Sequence, residues 1–73
     1  MRNMIIDNYE IEYIPVSEDT PPIEKGYKNL SREVEVITKN NEKYIAFFDY
    51  NKFQWRNAKT IKIIRNVIAW RDK

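Results

Sequence analysis

The sequence predicts a mainly β domain: a small antiparallel meander of about five strands, curled into a half-barrel, with one long loop after the first strand. Three observations predict it. Apolar and polar residues alternate at period two in several short stretches, and Ile, Val, Thr and aromatic residues dominate those stretches. Asn, Asp and Pro, which favour turns, cluster between them.

The first alternation covers residues 9–14, with Tyr9, Ile11 and Tyr13 on one face and Glu10 and Glu12 on the other. Pro15, Pro21 and Pro22 interrupt regular pairing after it, because proline supplies no backbone donor and pushes its predecessor toward extended geometry. A long loop is therefore expected up to about Ser31, with a short helical turn over residues 23–30 broken at Gly26. Residues 33–39 alternate again and place Val34, Val36 and Thr38 together. Asn40-Asn41 then supplies a turn that tolerates left-handed backbone angles.

The return strand, residues 43–49, is apolar on both faces, Tyr44, Ala46 and Phe48 on one and Ile45 and Phe47 on the other. That marks a central strand whose second face needs cover from the loop, another subunit or a ligand. A turn at residues 50–52 leads to residues 53–56, where alternation puts Phe53 and Trp55 on one face. Residues 60–64 read as a strand rather than as a helix capped by Asn57, since Ile and Thr dominate and Asn66 looks like a turn before the last strand, residues 67–71.

Length and composition then limit the function. A single domain of 73 residues buries only about 60–65% of the surface its unfolded chain exposes. With no cysteine and no histidine, disulfides are excluded and a structural metal nearly so, which leaves self-association as the remaining support for a small core. The opening residues break into Asp7-Asn8 before a signal-peptide core can form, and the longest apolar runs are four residues, so a cytoplasmic, non-membrane protein is expected.

Catalysis is poorly provided for. Ser-His-Asp and Cys-His arrangements need residue types the chain lacks, and Gly26 alone cannot build a phosphate-cradling loop. Glu10 with Glu12 is the remaining carboxylate pair, with Asp7 nearby as a third ligand for a hard cation, but alternating Glu is also how an ordinary solvent-facing strand looks. The expectation is a protein that is not an enzyme and carries no cofactor or metal.

Charge and aromatic content point to binding instead. Net charge is +2, yet acids concentrate in the first half and bases in the second, where they interleave with aromatics. The residues expected to meet a ligand or partner are Tyr44, Phe47, Tyr50, Phe53, Trp55, Arg56, Lys62, Arg65, Trp70 and Arg71. Rings among cations suit stacking on a base and pairing with phosphate. The same rings also suit a core, with Lys and Arg outside.

One resemblance spans nearly the whole chain after Asn8. The segment Tyr13-Ile14-Pro15 through Pro21, Val34-Glu35-Val36, Ile45-Ala46-Phe47-Phe48, Trp55 and Val67-Ile68-Ala69-Trp70 resembles the small phage and prophage proteins of domain-of-unknown-function family 551. Tyr13 stands where that family usually has tryptophan and Thr20 where it has leucine, and the segment between Pro22 and Val34 is longer. The resemblance implies a mobile-element origin and brings no site residues with it. Together these readings lead to a non-enzymatic binding protein that engages a host protein as a counter-defence inhibitor, or sequesters a small nucleotide, as a homo-oligomer. The alternative is a nucleic-acid-binding protein using the basic, aromatic second half.

Overall fold

The computed structural model describes residues 4–5, 12–24 and 28–73, and of residues 4, 5 and 12 the backbone alone. Seven antiparallel strands form one sheet among them: β1 (Met4–Ile5), β2 (Glu12–Pro15), β3 (Val34–Thr38), β4 (Lys43–Asp49), β5 (Gln54–Asn57), β6 (Ile63–Ile64) and β7 (Val67–Arg71). The all-β expectation holds, and no described residue is helical.

Strands β3 to β6 form the expected meander, and β7 then returns to pair with β3 on one side and β2 on the other, giving the order β1-β2-β7-β3-β4-β5-β6. This return fixes the curvature. Ile64 and Val67 are three residues apart in the chain, so their Cα atoms lie within about 11 Å. In a flat sheet the strands that hold them would stand four spacings apart, about 19 Å. The sheet must therefore roll up, although no ladder among the described residues joins its edges β1 and β6. A register shift between Ile37 and Thr38 leaves Ile68 as the extra residue of a bulge, which adds the local bend.

The inside of the roll is the main core: Val34, Val36, Ala46, Phe48, Trp55 and Trp70, with Ile14, Val16, Tyr44, Tyr50, Ile64 and Val67 packed against it. Phe48 organises its aromatic part, edge-on to Tyr50 at 4.7 Å and to Trp55 at 5.1 Å between ring centres, the geometry aromatic quadrupoles favour. A smaller cluster, Tyr13, Ile37 and Ala69 with Ile68, covers the opposite face of β3 and β7. On β4 the expected alternation appears, with Ala46 and Phe48 buried and Ile45 and Phe47 on the far side.

The turns obey residue chemistry. Asn29, Asn41 and Asn66 adopt positive φ, the conformation asparagine tolerates best among residues with a Cβ. Asn66 O also accepts from Lys39 N at 2.8 Å, tying the β6–β7 link to the β3–β4 turn.

The long loop is stapled to the sheet rather than wound into a helical turn. Ile23 bridges to Ser31 and Leu30 to Asp49, so the helical turn expected over residues 23–30 gives way to strand-like bridges at Ile23 and Leu30, with a turn at residues 28–29. Residues 25–27 lie outside the described residues, as do residues 9–11 of the expected first strand and the carboxylate of Glu10. Pro15, expected to end pairing, is itself the last residue of β2 opposite Ala69. Its missing donor is no loss at that end, and Val16 N continues to Ile68 O at 3.0 Å.

Candidate functional site

The outer face of the roll is the side that β4 leaves uncovered. Directly opposed residues of antiparallel strands share a face, so the pairings Glu35 with Arg71 and Ile45, and Arg56 with Phe47 and Ile63, define two rows across it. Phe47 and Arg56 are half-buried, while Ile45 is 39% and Ile63 44% exposed.

Arg56 organises this face. Its Nε donates to Asp49 Oδ2 at 3.2 Å, Nη2 to Gln54 Oε1 at 3.3 Å and Nη1 to the carbonyl oxygen of Ile61 at 3.0 Å. Burial on its own would raise the Asp49 pKa, but the Arg56 guanidinium and hydrogen bonds from Asn51 hold it below the ordinary carboxylate value. The cation is thus neutralised locally and reaches across to fix the β5–β6 loop.

That loop is held by its own backbone as well. Ile61 N donates to Asn57 O at 2.7 Å and Asn57 N to Lys62 O at 2.8 Å. Asn57 Oδ1 accepts from the backbone N–H of Lys59 and Thr60 at 2.8 and 3.2 Å. Asn57 therefore does cap two donors, but in a turn rather than at a helix start, and the strand expected over residues 60–64 contracts to Ile63–Ile64.

Within the loop Ile61 takes φ 65°, a conformation that is a genuine outlier for a β-branched side chain. It is 53% exposed, so burial of its side chain does not account for the strain. Phe53, in the β4–β5 turn, is the second such case, with φ 52° and 75% of its surface exposed.

A second, half-buried charge network sits at the β2–β7–β3 end of the same face. The Tyr13 hydroxyl donates to Glu35 Oε2, while Arg71 donates to Glu35 Oε1 through Nε at 3.3 Å and Nη2 at 3.1 Å. The Arg71 guanidinium carbon also lies 5.3 Å from the centre of the Tyr13 ring, within cation–π range. Burial and the Glu35 hydrogen bond push the Tyr13 hydroxyl up to about 12.

The residues singled out from sequence separate into three groups. Trp55 and Trp70 are core, 7% and 3% exposed, and offer a partner almost no surface. Tyr50 packs on that core, and its hydroxyl is engaged by Pro21 O at 2.5 Å and Thr20 Oγ1 at 2.7 Å. Phe47, Arg56 and Arg71 lie on the outer face, Arg56 and Arg71 with their charges already paired. Lys62 and Arg65 are exposed, and their side chains make no hydrogen bond or ion pair with described residues. Tyr44 is half-buried beside them and shares a cleft of about 240 Å³ with both.

Phe53 is a correction in position: alternation put it in a strand beside Trp55, whereas the strand begins at Gln54 and Phe53 sits exposed in the turn, its ring 6.0 Å from those of Phe48 and Tyr50. Ile45, which the alternation had already turned away from the core, joins the outer face, and Ile61 and Ile63 were not singled out. Periodicity marks isoleucines as strand residues, and nothing local distinguishes an exposed one.

Among the described residues no three acidic, cysteine or histidine side chains gather as a metal site. The carboxylate pair Glu10 and Glu12 lies outside what is described, Glu12 in its side chain only. No helix there is long and apolar enough to cross a membrane. Comparison of the chain with protein-family models, with curated proteins and with solved structures finds no match.

Proposed function

We propose that this protein is a non-enzymatic binding protein that docks onto a host protein through the outer face of β4, β5 and β6. The observation that carries this reading is Ile61: an exposed isoleucine held at positive φ by Arg56 and by the Asn57 turn. Strain of that kind costs on the order of 1–3 kcal/mol and tends to persist where a displayed side chain is used. Ile45, Phe47 and Ile63 surround it with apolar surface around a charge-paired arginine, the composition of an interface centre. Lys59, exposed in the same loop as Ile61, flanks the patch, so the partner surface is expected to be an apolar groove with an acidic margin.

The family resemblance implies a phage or prophage setting, and inhibition of the docked host protein as a counter-defence is the role we propose within it. The inward placement of Trp55 and Trp70 favours protein docking over a stacking platform for nucleic acid.

The test is an affinity capture from host extract with the wild-type protein and with the Ile61→Asp and Ile63→Asp variants, each first shown to be folded. A partner held by the wild type and lost with both variants supports the reading. Equal capture by all three removes the outer face as the site. Light scattering on the purified protein identifies the other occupant, a second copy of the chain, as a doubled mass that Ile61→Asp returns to that of one chain.

A further inference from the structure

We infer that the cleft between the β3–β4 turn and the β6–β7 link binds a phosphoryl group, carried either by a mononucleotide or by a nucleic-acid backbone. The hydrogen bond from Lys39 N to Asn66 O, 2.8 Å, holds these two chain segments against one another, and the cleft of about 240 Å³ opens beside it. Lys62 and Arg65 line it, both exposed and with no acid partner among the described residues. Arg65 is the residue type best shaped for paired hydrogen bonds to phosphate oxygens.

Neutral donors complete the wall. Asn57 spends its side-chain oxygen on the Lys59 and Thr60 N–H groups, which leaves its amide N–H₂ as the unspent end. The Thr60 hydroxyl oxygen accepts from Lys62 N at 3.3 Å and keeps its own proton to donate. Glu42 is the one carboxylate on the wall, and its charge holds the Tyr44 hydroxyl above its ordinary pKa. Two cations therefore face one acid, and the balance favours an anion. The Tyr44 ring closes one side, where a ribose or base attached to the phosphoryl group would lie.

Arg65 also lines a second cleft of about 310 Å³, shared with Phe53 and Trp55. Both clefts are lined by Ile63, Ile64 and Arg65, a placement that lets a polynucleotide run from one to the other. This inference requires neither Ile61 nor Ile45, so it stands or falls separately from docking on the outer face.

Isothermal titration calorimetry with inorganic pyrophosphate, adenosine diphosphate and a single-stranded oligodeoxynucleotide tests it. The expected result is saturable binding that weakens as salt is raised, reduced by about tenfold or more in Lys62→Gln and in Arg65→Gln. Lys52→Gln, a cation lost outside the cleft, should bind as the wild type does. Adenosine diphosphate binding as tightly as the oligonucleotide identifies a mononucleotide site, and oligonucleotide binding alone identifies a backbone site. No heat with any of the three probes overturns the inference, as does binding that is unchanged in both Lys62→Gln and Arg65→Gln. Both side chains are exposed, so the variants should keep the wild-type far-ultraviolet circular dichroism.

Discussion

The indole Nε1 of Trp70 donates to the carbonyl oxygen of Asp19 at 3.0 Å, joining the last strand to the loop after β2. The ring fills the core while its one polar atom reaches out to a loop that Tyr50 also holds, through Pro21 O and Thr20 Oγ1. Removing the ring by Trp70→Ala should cost about 3–5 kcal/mol through the cavity it leaves. That is a large fraction of the roughly 5–15 kcal/mol a small domain possesses. Trp70→Phe keeps much of the packing and should lose an additional 1 kcal/mol or so for the hydrogen bond. Urea unfolding monitored by circular dichroism measures both, and a Trp70→Ala protein as stable as the wild type would contradict the placement of this ring.

Ile61 should show stability and binding moving in opposite directions. Ile61→Gly relieves the positive-φ strain, partly offset by the greater backbone entropy of glycine, and should stabilise the fold by about 0.5–1 kcal/mol. The same change removes the displayed side chain and should weaken capture of the docking partner. A thermal melt paired with the capture assay reads both quantities.

Stability should fall at both ends of the pH scale. For Glu35, burial alone would raise the pKa, but hydrogen bonds from Tyr13 and Arg71 and the charge of Arg71 hold it below its ordinary 4.5. Asp49 is likewise held below 3.8. A carboxylate more acidic in the fold than in the unfolded chain stabilises the fold above its unfolded pKa, and that contribution is lost as pH falls through the folded value. Tyr13 works in the other direction. Its hydroxyl moves from 10.0 to about 12, so its contribution is present below 10.0 and is lost as pH rises from there toward 12. Urea midpoints across the pH range should show both limbs, and Tyr13→Phe should flatten the alkaline one.

Arg56→Ala should loosen the β5–β6 loop without opening the core. It strands the largely buried Asp49 carboxylate and frees the Ile61 carbonyl, for a cost of about 1–3 kcal/mol. Amide hydrogen exchange should rise at Asn57 and Ile61, whose N–H groups donate the backbone bonds that close the loop, while Val36 and Ala46 in the core keep their protection. Uniform loss of protection would instead make Arg56 a determinant of the whole fold.

The local pattern of the sequence reached far into this protein. Period-two alternation located β3 and β4, β-branched content and the Asn66 turn located β7, and on β4 the alternation assigned Ala46 and Phe48 to the inside and Ile45 and Phe47 to the outside. The asparagines at positions 41 and 66 marked turns, and both take positive φ there. These features are readable because they depend on side chains a few residues apart and on the intrinsic freedom of asparagine.

What tertiary structure decided is which strands meet. Nothing within β7 says that it lies between β2 and β3, because pairing partners are chosen by curvature and by burial summed over the whole sheet. That choice buries Trp55 and Trp70, which by composition alone suited a binding surface equally well. It also sets Lys62, Arg65 and Tyr44 around one cleft and leaves Ile61 strained and exposed beside Arg56. The period of an element is written locally, whereas its neighbours are fixed only when the chain closes on one core.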